Sequence, residues 1–348
     1  MNPFQFWGGL GLMLGSALAV VVTQQRALSI PVTVLMLGVS ICVFYTVAMA
    51  TRIIQDRERL VYYHHEIAIL FTLALLLRAL GLPVLAYLDI AVLGLGSFLA
   101  FGRIGCWRVG CCHGRPHRWG RPHPGGAGMP PYGADVLLFP VQPIESAWVF
   151  TAVIVGVALA LTSKQAGEVF TFYTFFYGAG RFLFEFFRGD PERPFWKGVS
   201  EAQWTSWLLV TAAAIGELAH YLPFHTWHFV EAAGMSAAVI LLVANDGEVK
   251  ALFRPAHLCQ LSEALECARA LTSHTGALHV ATTSLGLRVS ATRIQDGVRR
   301  REMIAYSRPG LEFPAQDARR LGQIIVRLRG SPPAQFQQGD GVYHVILT

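Results

Sequence analysis

Residues 101–126 read FGRIGCWRVGCCHGRPHRWGRPHPGG and follow directly on the apolar run LGLGSFLA. Between Arg103 and Arg121 this stretch carries five arginines, two histidines and no acidic residue. A basic, glycine-rich segment at the end of an apolar run suits an anionic headgroup, because an arginine fork can hold a phosphate through two hydrogen bonds. A simpler interpretation stays open, in which the segment is a juxtamembrane loop attracted to the surface charge of a bilayer.

The composition of the whole chain places this stretch in a membrane protein. The 348 residues are 53% hydrophobic and 14% charged, and their mean hydropathy is +0.43. These values predict a polytopic membrane protein with a soluble part. The net charge is +6. Because the arginine clusters adjoin apolar runs, this charge indicates anionic lipid as a partner and no nucleic acid.

Apolar runs predict an all-α polytopic membrane helical bundle of seven or eight transmembrane helices. The predicted spans are 4–22, 27–50, 67–80, 84–102, a fifth that ends near Thr162, 169–187, 204–218 and 229–244. The last run is equally compatible with an interfacial helix. Residues 103–139 are predicted to form a loop. Asp89, near the start of the fourth span, is expected to pair with an arginine or to cap a helix.

The composition changes at Asn245, after which the chain is charged and its apolar runs are short. The alternating run VYHVILT at 342–348 predicts a strand, whereas LSEALECARALTS at 261–273 and DARRLGQIIVRLRG at 317–330 predict helices. We therefore predict a transmembrane domain over 1–244 and a small soluble α+β domain over 245–348. No motif in the second domain indicates its role.

A second informative stretch, residues 170–194, reads FTFYTFFYGAGRFLFEFFRGDPERP. It contains a stripe of residues separated by four, four, four and three positions, namely Tyr173, Tyr177, Arg181, Glu185 and Arg188. At about 100° per residue these positions share one helix face. Charges inside an apolar span usually face a polar cavity or each other. The stripe therefore predicts either the lining of a site or a structural Arg–Glu pair.

Four elements in chain order resemble those of one family. They are YLDIAVLGLGSFLAFGR at 87–103, GRIGCWRVGCCHG at 102–114, PVQPIE at 140–145 and a Tyr-Gly-x-x-Arg-Phe-x-x-Glu pattern at 177–185. Through them, roughly residues 1–220 resemble bacterial prolipoprotein diacylglyceryl transferase, a multi-pass enzyme of the bacterial cytoplasmic membrane. That family moves the diacylglyceryl group of phosphatidylglycerol onto the lipobox cysteine of a lipoprotein precursor.

The resemblance implies both substrates and a set of site residues. The implied partners are phosphatidylglycerol or another anionic glycerophospholipid, and the signal peptide of a lipoprotein precursor. The catalytic candidates are His64, Arg103, Tyr177 and Arg181. The substrate-binding candidates are Gly105, Cys106, Gly114, Gln142, Glu145, Glu185 and Arg188. No cofactor and no metal are expected.

Each catalytic candidate has an expected catalytic role, and some of them also have a simpler structural interpretation. Arg103 and Arg181 would stabilise the leaving phosphate, with Glu185 orienting the second arginine. His64 would take the proton of the thiol, since the thiolate is the nucleophile. The plainer interpretation makes this histidine an interface residue beside Tyr62 and Tyr63, which are expected to anchor the helix at the membrane surface. The Tyr177 hydroxyl would bind a phosphate or ester oxygen, or be buried for structural reasons.

The chain also departs from the family pattern. Cys106 and Cys111 stand where the family has an asparagine and an acidic residue, and Phe139 stands where it has a histidine. The sequence His-His-Glu at 64–66 replaces a His-Gly-Gly element. These departures keep two alternatives open: a non-catalytic lipid-binding membrane protein, and a related transferase with a different acceptor. A transporter is less well supported, because the sequence shows no repeated halves.

The cysteines do not predict a metal site or a disulfide framework. Cys106, Cys111, Cys112 and His113 are near one another in sequence. Zinc sites usually use separated cysteine pairs, and vicinal cysteines do not easily bind one ion together. A disulfide involving Cys106 stays possible in an oxidising compartment, whereas buried thiols are the default expectation.

Overall fold

The computed structural model describes residues 2–55, 61–122, 132, 136–163, 165–296, 299–310, 313–330, 334–339 and 341–347. Contacts divide the chain into two compact units. Unit 1 comprises residues 1–108, 142–186 and 202–239, and unit 2 comprises residues 109–141, 187–201 and 240–348.

The described residues form helices and short antiparallel sheets. The helices are α1 (Pro3–Gln25), α2 (Ile30–Gln55), α3 (Tyr62–Ala79), α4 (Val84–Val109), α5 (Val141–Thr162), α6 (Glu168–Phe184), α7 (Glu201–Leu218), α8 (Thr226–Ala244), α9 (Glu248–Ala251), α10 (Pro255–Thr275) and α11 (Ala315–Leu328). The strands are β1 (Pro116–Pro122), β2 (Leu137–Leu138), β3 (Phe195–Trp196), β4 (Val199–Ser200), β5 (Val280–Thr282), β6 (Arg288–Asp296), β7 (Arg299–Ser307), β8 (Ala334–Gly339) and β9 (Val342–Leu347).

Five helices among the described residues are long and apolar enough to cross a membrane, namely α1, α2, α4, α5 and α8. Helices α3, α6 and α7 are shorter, with 18, 17 and 18 residues. The chain is therefore a helix-rich membrane protein, as its composition predicts. The total of seven or eight spans stays a prediction.

Helix α4 is the most enclosed of the five long apolar helices. About 61% of its apolar window is buried inside the protein, against 11% for α2. Small residues allow α1 to approach it closely, because a Cβ atom on Gly15 would lie 2.7 Å from the carbonyl oxygen of Gly94. Close contact at small residues is a common way for membrane helices to associate. This packing makes α4 a rigid support for the polar residues along it.

Asp89 on α4 caps the N-terminus of α6. The backbone N–H groups of Gly167 and Phe170 donate to its two carboxylate oxygens at 2.9 and 2.8 Å. A guanidinium nitrogen of Arg26 lies 3.8 Å from the same carboxylate. Both sequence expectations for Asp89, an arginine partner and a helix cap, are confirmed. The cap fixes where α6 begins and therefore the position of its polar residues.

We expect Asp89→Ala to lower the free energy of unfolding by about 2–4 kcal/mol, since two buried N–H groups would lose a carboxylate acceptor. Thermal unfolding in detergent micelles measures this change. Asp89→Asn retains one acceptor oxygen and should give an intermediate loss. An unchanged midpoint in Asp89→Ala would contradict the capping role.

Several helix ends differ from the sequence predictions; α2, for example, continues to Gln55, and α3 already begins at Tyr62. Helix α4 continues to Val109, so the loop predicted to begin at Arg103 begins later. The glycines suggested a turn, but Gly105 instead allows close packing, because its Cβ atom would lie 3.2 Å from the Phe4 Cα atom. Helix α6 ends at Phe184 and not at residue 187. The Gly-Asp-Pro sequence that follows at 189–191 disfavours further helix.

Unit 2 contains a five-stranded antiparallel sheet with the order β5-β6-β7-β9-β8. Helices α10 and α11 and strand β9 have the conformations predicted for their sequences, whereas β8 was not anticipated. The core of this unit also includes Tyr132, Val136 and Leu138 from outside the C-terminal region. The proposed domain boundary at Asn245 stays a prediction. Residues 123–131 and 133–135 of the predicted loop lie outside the described residues.

Candidate active site

The first buried ion pair of unit 1 joins α4 to α5. An Nη atom of Arg103 donates to a carboxylate oxygen of Glu145 at 3.0 Å. The two residues expose only 7% and 1% of their surface. Ser146, the next residue on α5, donates to the backbone carbonyl of Ala100 at 2.8 Å, which fixes the two helices at this level. The guanidinium group of Arg103 therefore lies inside the unit, where it donates to a carboxylate.

The second buried ion pair lies at the end of α6. Arg181 donates to Glu185, four residues further along, and both side chains are buried. Glu185 occupies the C-cap position in a helical conformation, so the helical spacing still brings it to Arg181. This contact confirms the expected Arg181–Glu185 pairing. It leaves both interpretations of the stripe open, since a positioned arginine can also bind an anion.

Tyr177 connects the two ion pairs. Its side chain is 7% exposed, and its hydroxyl interacts electrostatically with Glu145, Arg181, Glu66 and Arg103. Its ring stacks on that of Tyr173 at 5.6 Å between centroids. The helical spacing predicted for Tyr173, Tyr177 and Arg181 is therefore confirmed, and the three side chains share a buried face. The structure therefore brings two catalytic candidates, Arg103 and Arg181, near a third, Tyr177.

A carboxyl group for which the sequence indicated no role lies beside this tyrosine. Glu66 on α3 is 6% exposed and lies next to the hydroxyl groups of Tyr62 and Tyr173. The Tyr62 hydroxyl donates to the carbonyl of Leu95 at 2.9 Å, and Tyr63 is buried. Both tyrosines therefore pack at least partly against protein. Their role as anchors of α3 at the membrane surface stays a prediction.

His64 and His65 lie in the first turn of α3 and have different surroundings. His64 is partly buried, and its ring contacts Tyr63 edge-on at 4.7 Å. His65 is 1% exposed, and its Nδ1 atom lies 3.0 Å from the carbonyl of Val61. That contact suits an Nδ1–H donor and leaves Nε2 as the acceptor in a neutral ring. The catalytic role of His64 stays a prediction.

The remaining predicted site residues lie in two different units. In unit 1, Gly105 and Cys106 are on α4 and Gln142 is on α5, and the cysteine and glutamine are buried. In unit 2, Gly114 and Arg188 form an isolated antiparallel bridge. Arg188 therefore does not continue the face of α6, and its predicted place on the stripe is wrong, because the helix has already ended.

Arg188 has local partners of its own. Its Nε atom donates to a carboxylate oxygen of Asp190 at 2.8 Å, and its carbonyl accepts from Arg115 Nε at 2.9 Å. Burial lowers the pKa of Arg115 to about 10. The guanidinium group of Arg115 therefore stays charged at neutral pH.

The buried cluster can bind an anion. Two guanidinium groups donate to carboxylates in an environment largely shielded from water, where hydrogen bonds to a charged ligand are strong. A phosphate that bridges them would add a charge-assisted contact to each. The Tyr177 hydroxyl interacts electrostatically with both arginines and can donate to a further phosphate oxygen.

A family model described as prolipoprotein diacylglyceryl transferase matches residues 6–218. Phosphatidylglycerol–prolipoprotein diacylglyceryl transferase from Clostridium tetani (strain Massachusetts / E88) is 34% identical over 111 residues, which cover 31% of this chain and 43% of the relative. A second such transferase, from Clostridium perfringens (strain 13 / Type A), is 34% identical over 110 residues, or 31% and 42% of the two chains.

A transferase of the same name from Dehalococcoides mccartyi (strain ATCC BAA-2266 / KCTC 15142 / 195) is 30% identical over 128 residues, or 36% of this chain and 48% of the relative. The chain thus spans less than half the length of the curated relatives that it matches. No solved structure matches it.

Proposed function

Because the chain belongs to the prolipoprotein diacylglyceryl transferase family, we propose that it transfers a diacylglyceryl group to a thiol. The donor is phosphatidylglycerol, and the acceptor is the lipobox cysteine of a prolipoprotein. The observation that carries this proposal is the buried cluster in which Arg103 and Arg181 both interact electrostatically with Tyr177.

The reaction exchanges a carbon–oxygen bond for a carbon–sulfur bond. The thiol loses its proton. The sulfur then attacks the carbon of the diacylglyceryl group that is bonded to a phosphate oxygen. The carbon–oxygen bond breaks, and its electron pair leaves with the phosphate, which gains one negative charge. The products are a thioether, glycerol phosphate and one proton. Positive charge that is already positioned near the leaving oxygen lowers the barrier, since it needs little rearrangement in the transition state.

The arginines are proposed to stabilise this charge while their carboxylate partners hold them. Glu145 holds Arg103 and Glu185 holds Arg181, each through a hydrogen bond to a guanidinium nitrogen. Guanidinium groups have further N–H donors, so each arginine can bind phosphate while it keeps its carboxylate. His64 is proposed to take the thiol proton, because a neutral imidazole can act as a base near neutral pH.

The proposal extends to the setting of the enzyme. We place it in the bacterial cytoplasmic membrane as a bundle of seven or eight spans, with a C-terminal α+β domain after Asn245. The signal peptide of the precursor would present the cysteine to unit 1. The departures at Cys106 and Glu66 favour one alternative, a lipid-binding protein without turnover.

The test uses the purified full chain in detergent micelles with phosphatidylglycerol and a synthetic lipobox peptide. We expect mass spectrometry to find the peptide heavier by one diacylglyceryl group and glycerol phosphate released in equal amount. A peptide with serine in place of the lipobox cysteine is the control and should stay unmodified. Protection of the protein by the lipid without any change in peptide mass would support the lipid-binding alternative and contradict the transferase.

A further inference from the structure

Among the buried oxygen atoms of unit 1 that have no hydrogen-bond partner within the described residues, three belong to side chains that interact with one another. They are a carboxylate oxygen of Glu66 and the hydroxyl oxygens of Tyr173 and Tyr177. The three side chains expose only 6%, 3% and 7% of their surface. Glu66 lies beside Tyr173, but their contact lacks hydrogen-bond geometry. Leaving a buried polar group unpaired costs about 1–3 kcal/mol, so three such atoms close together indicate a ligand that would satisfy them.

The chemistry of these atoms defines the ligand. A tyrosine hydroxyl donates one hydrogen bond, and a carboxyl oxygen accepts one. An alcohol group on a ligand can do both, since it can accept from a tyrosine while it donates to the carboxyl. An apolar headgroup would leave all three atoms unpaired.

One of the three atoms, the Tyr177 hydroxyl oxygen, also lies near the two arginines that are proposed to bind phosphate. The Tyr177 hydroxyl interacts electrostatically with Glu66 and also with Arg103 and Arg181. The headgroup alcohol of a phospholipid is bonded directly to the phosphate. A phosphate between the two arginines would therefore bring its headgroup to Glu66 and Tyr173. Gly96 on α4 allows the Tyr173 ring to pack closely against this helix, because a Cβ atom there would lie 2.8 Å from the ring.

We propose that Glu66, Tyr173 and Tyr177 form a subsite for the hydroxyl groups of the lipid headgroup, and that this subsite selects donors whose headgroup is a polyol. The proposal rests on the proposed function, since it extends the same lipid site. Glu66 replaces a glycine of the family's His-Gly-Gly element, so the carboxyl is a feature of this chain.

The test compares two lipids that differ only in the headgroup alcohol. Phosphatidylglycerol has two free headgroup hydroxyls, whereas phosphatidylmethanol has the same phosphate charge and the same acyl chains but none. We expect the wild-type full chain in neutral-lipid nanodiscs to bind phosphatidylglycerol at least about tenfold more tightly, as one or two added hydrogen bonds would give. Lipid-dependent thermal shifts over a concentration series give the two apparent Kd values.

Substitutions then assign the preference to the subsite. Glu66→Leu keeps a similar volume without a polar atom and should bring the two Kd values within about twofold of each other. Tyr173→Phe should reduce the preference in part. Tyr87→Phe is the matched control, because its hydroxyl is also in unit 1 but pairs with the backbone N–H of Ser29 at 3.0 Å. This control should keep the full preference.

The outcomes separate the subsite from the proposed function. Equal affinity of the wild type for both lipids would overturn the subsite and leave lipid binding intact. An unchanged preference in Glu66→Leu would overturn the role of this carboxyl. Absence of binding to either lipid would overturn both the subsite and the proposed function.

Discussion

Arg181→Lys should lower the rate of diacylglyceryl transfer by about a hundredfold or more while the protein still folds. Lysine keeps the positive charge but replaces the planar fork by a single ammonium group. It can pair with Glu185 or bind the phosphate, but it cannot make the parallel contacts of a guanidinium group. Removing one positioned donor from a developing anion typically lowers the rate by about 10²–10³.

Initial rates of peptide modification by mass spectrometry measure this effect. Arg78→Lys is the matched control, since Arg78 lies in the last turn of α3 and is exposed, and its rate should not change. Glu185→Gln should lose less than Arg181→Lys, because the amide can still accept a hydrogen bond from the arginine. Full turnover in Arg181→Lys would leave only the structural interpretation of the pair.

Arg103→Ala should remove the protection that phosphatidylglycerol gives against thermal unfolding and should lower transfer about a thousandfold. The substitution deletes one of the two phosphate-binding groups and leaves the Glu145 carboxylate buried without its arginine. Breaking a buried pair in this way usually destabilises a protein by about 3–5 kcal/mol. The unfolding midpoint without lipid should therefore fall as well.

A double variant separates folding from binding at this position. Arg103→Leu combined with Glu145→Leu removes both charges, and replacement of a buried ion pair by apolar residues is often neutral for stability. We expect the midpoint without lipid to return toward the wild-type value, whereas lipid protection stays absent. Lipid protection in this double variant would contradict the role of Arg103.

Much of the fold follows from the apolar runs, because a long apolar stretch in a membrane must satisfy its backbone hydrogen bonds within a helix. The position at which α4 ends could not be predicted from these runs. Glycine-rich sequence suggested a loop at Arg103, yet Gly105 serves the close approach of α1. Only knowledge of the neighbouring helix distinguishes these two uses of glycine. Strand β8 was missed for a similar reason, since AQFQQG at 334–339 is polar and stands at the edge of its sheet.

The sequence predicted one part of the site and could not predict another. Helical spacing is a local property, so the sequence alone predicts that Tyr177 and Arg181 share one helix face. The pairing of Arg103 with Glu145 joins residues 42 positions apart, and no local pattern fixes such a contact. Glu66 had one available signal, a carboxyl in place of a glycine near the start of an apolar run. Its meaning depends on the tyrosines that surround it in the fold.

The central claim is that Arg103 and Arg181 hold the same phosphate, and a double-mutant cycle on the transfer rate tests it most directly. Arg103→Lys, Arg181→Lys and the combined variant are compared with the wild type at saturating peptide. Groups that act on one phosphate are coupled, so we expect the combined loss to be clearly smaller than the product of the two single losses. A combined loss equal to that product, or larger, would contradict a shared phosphate.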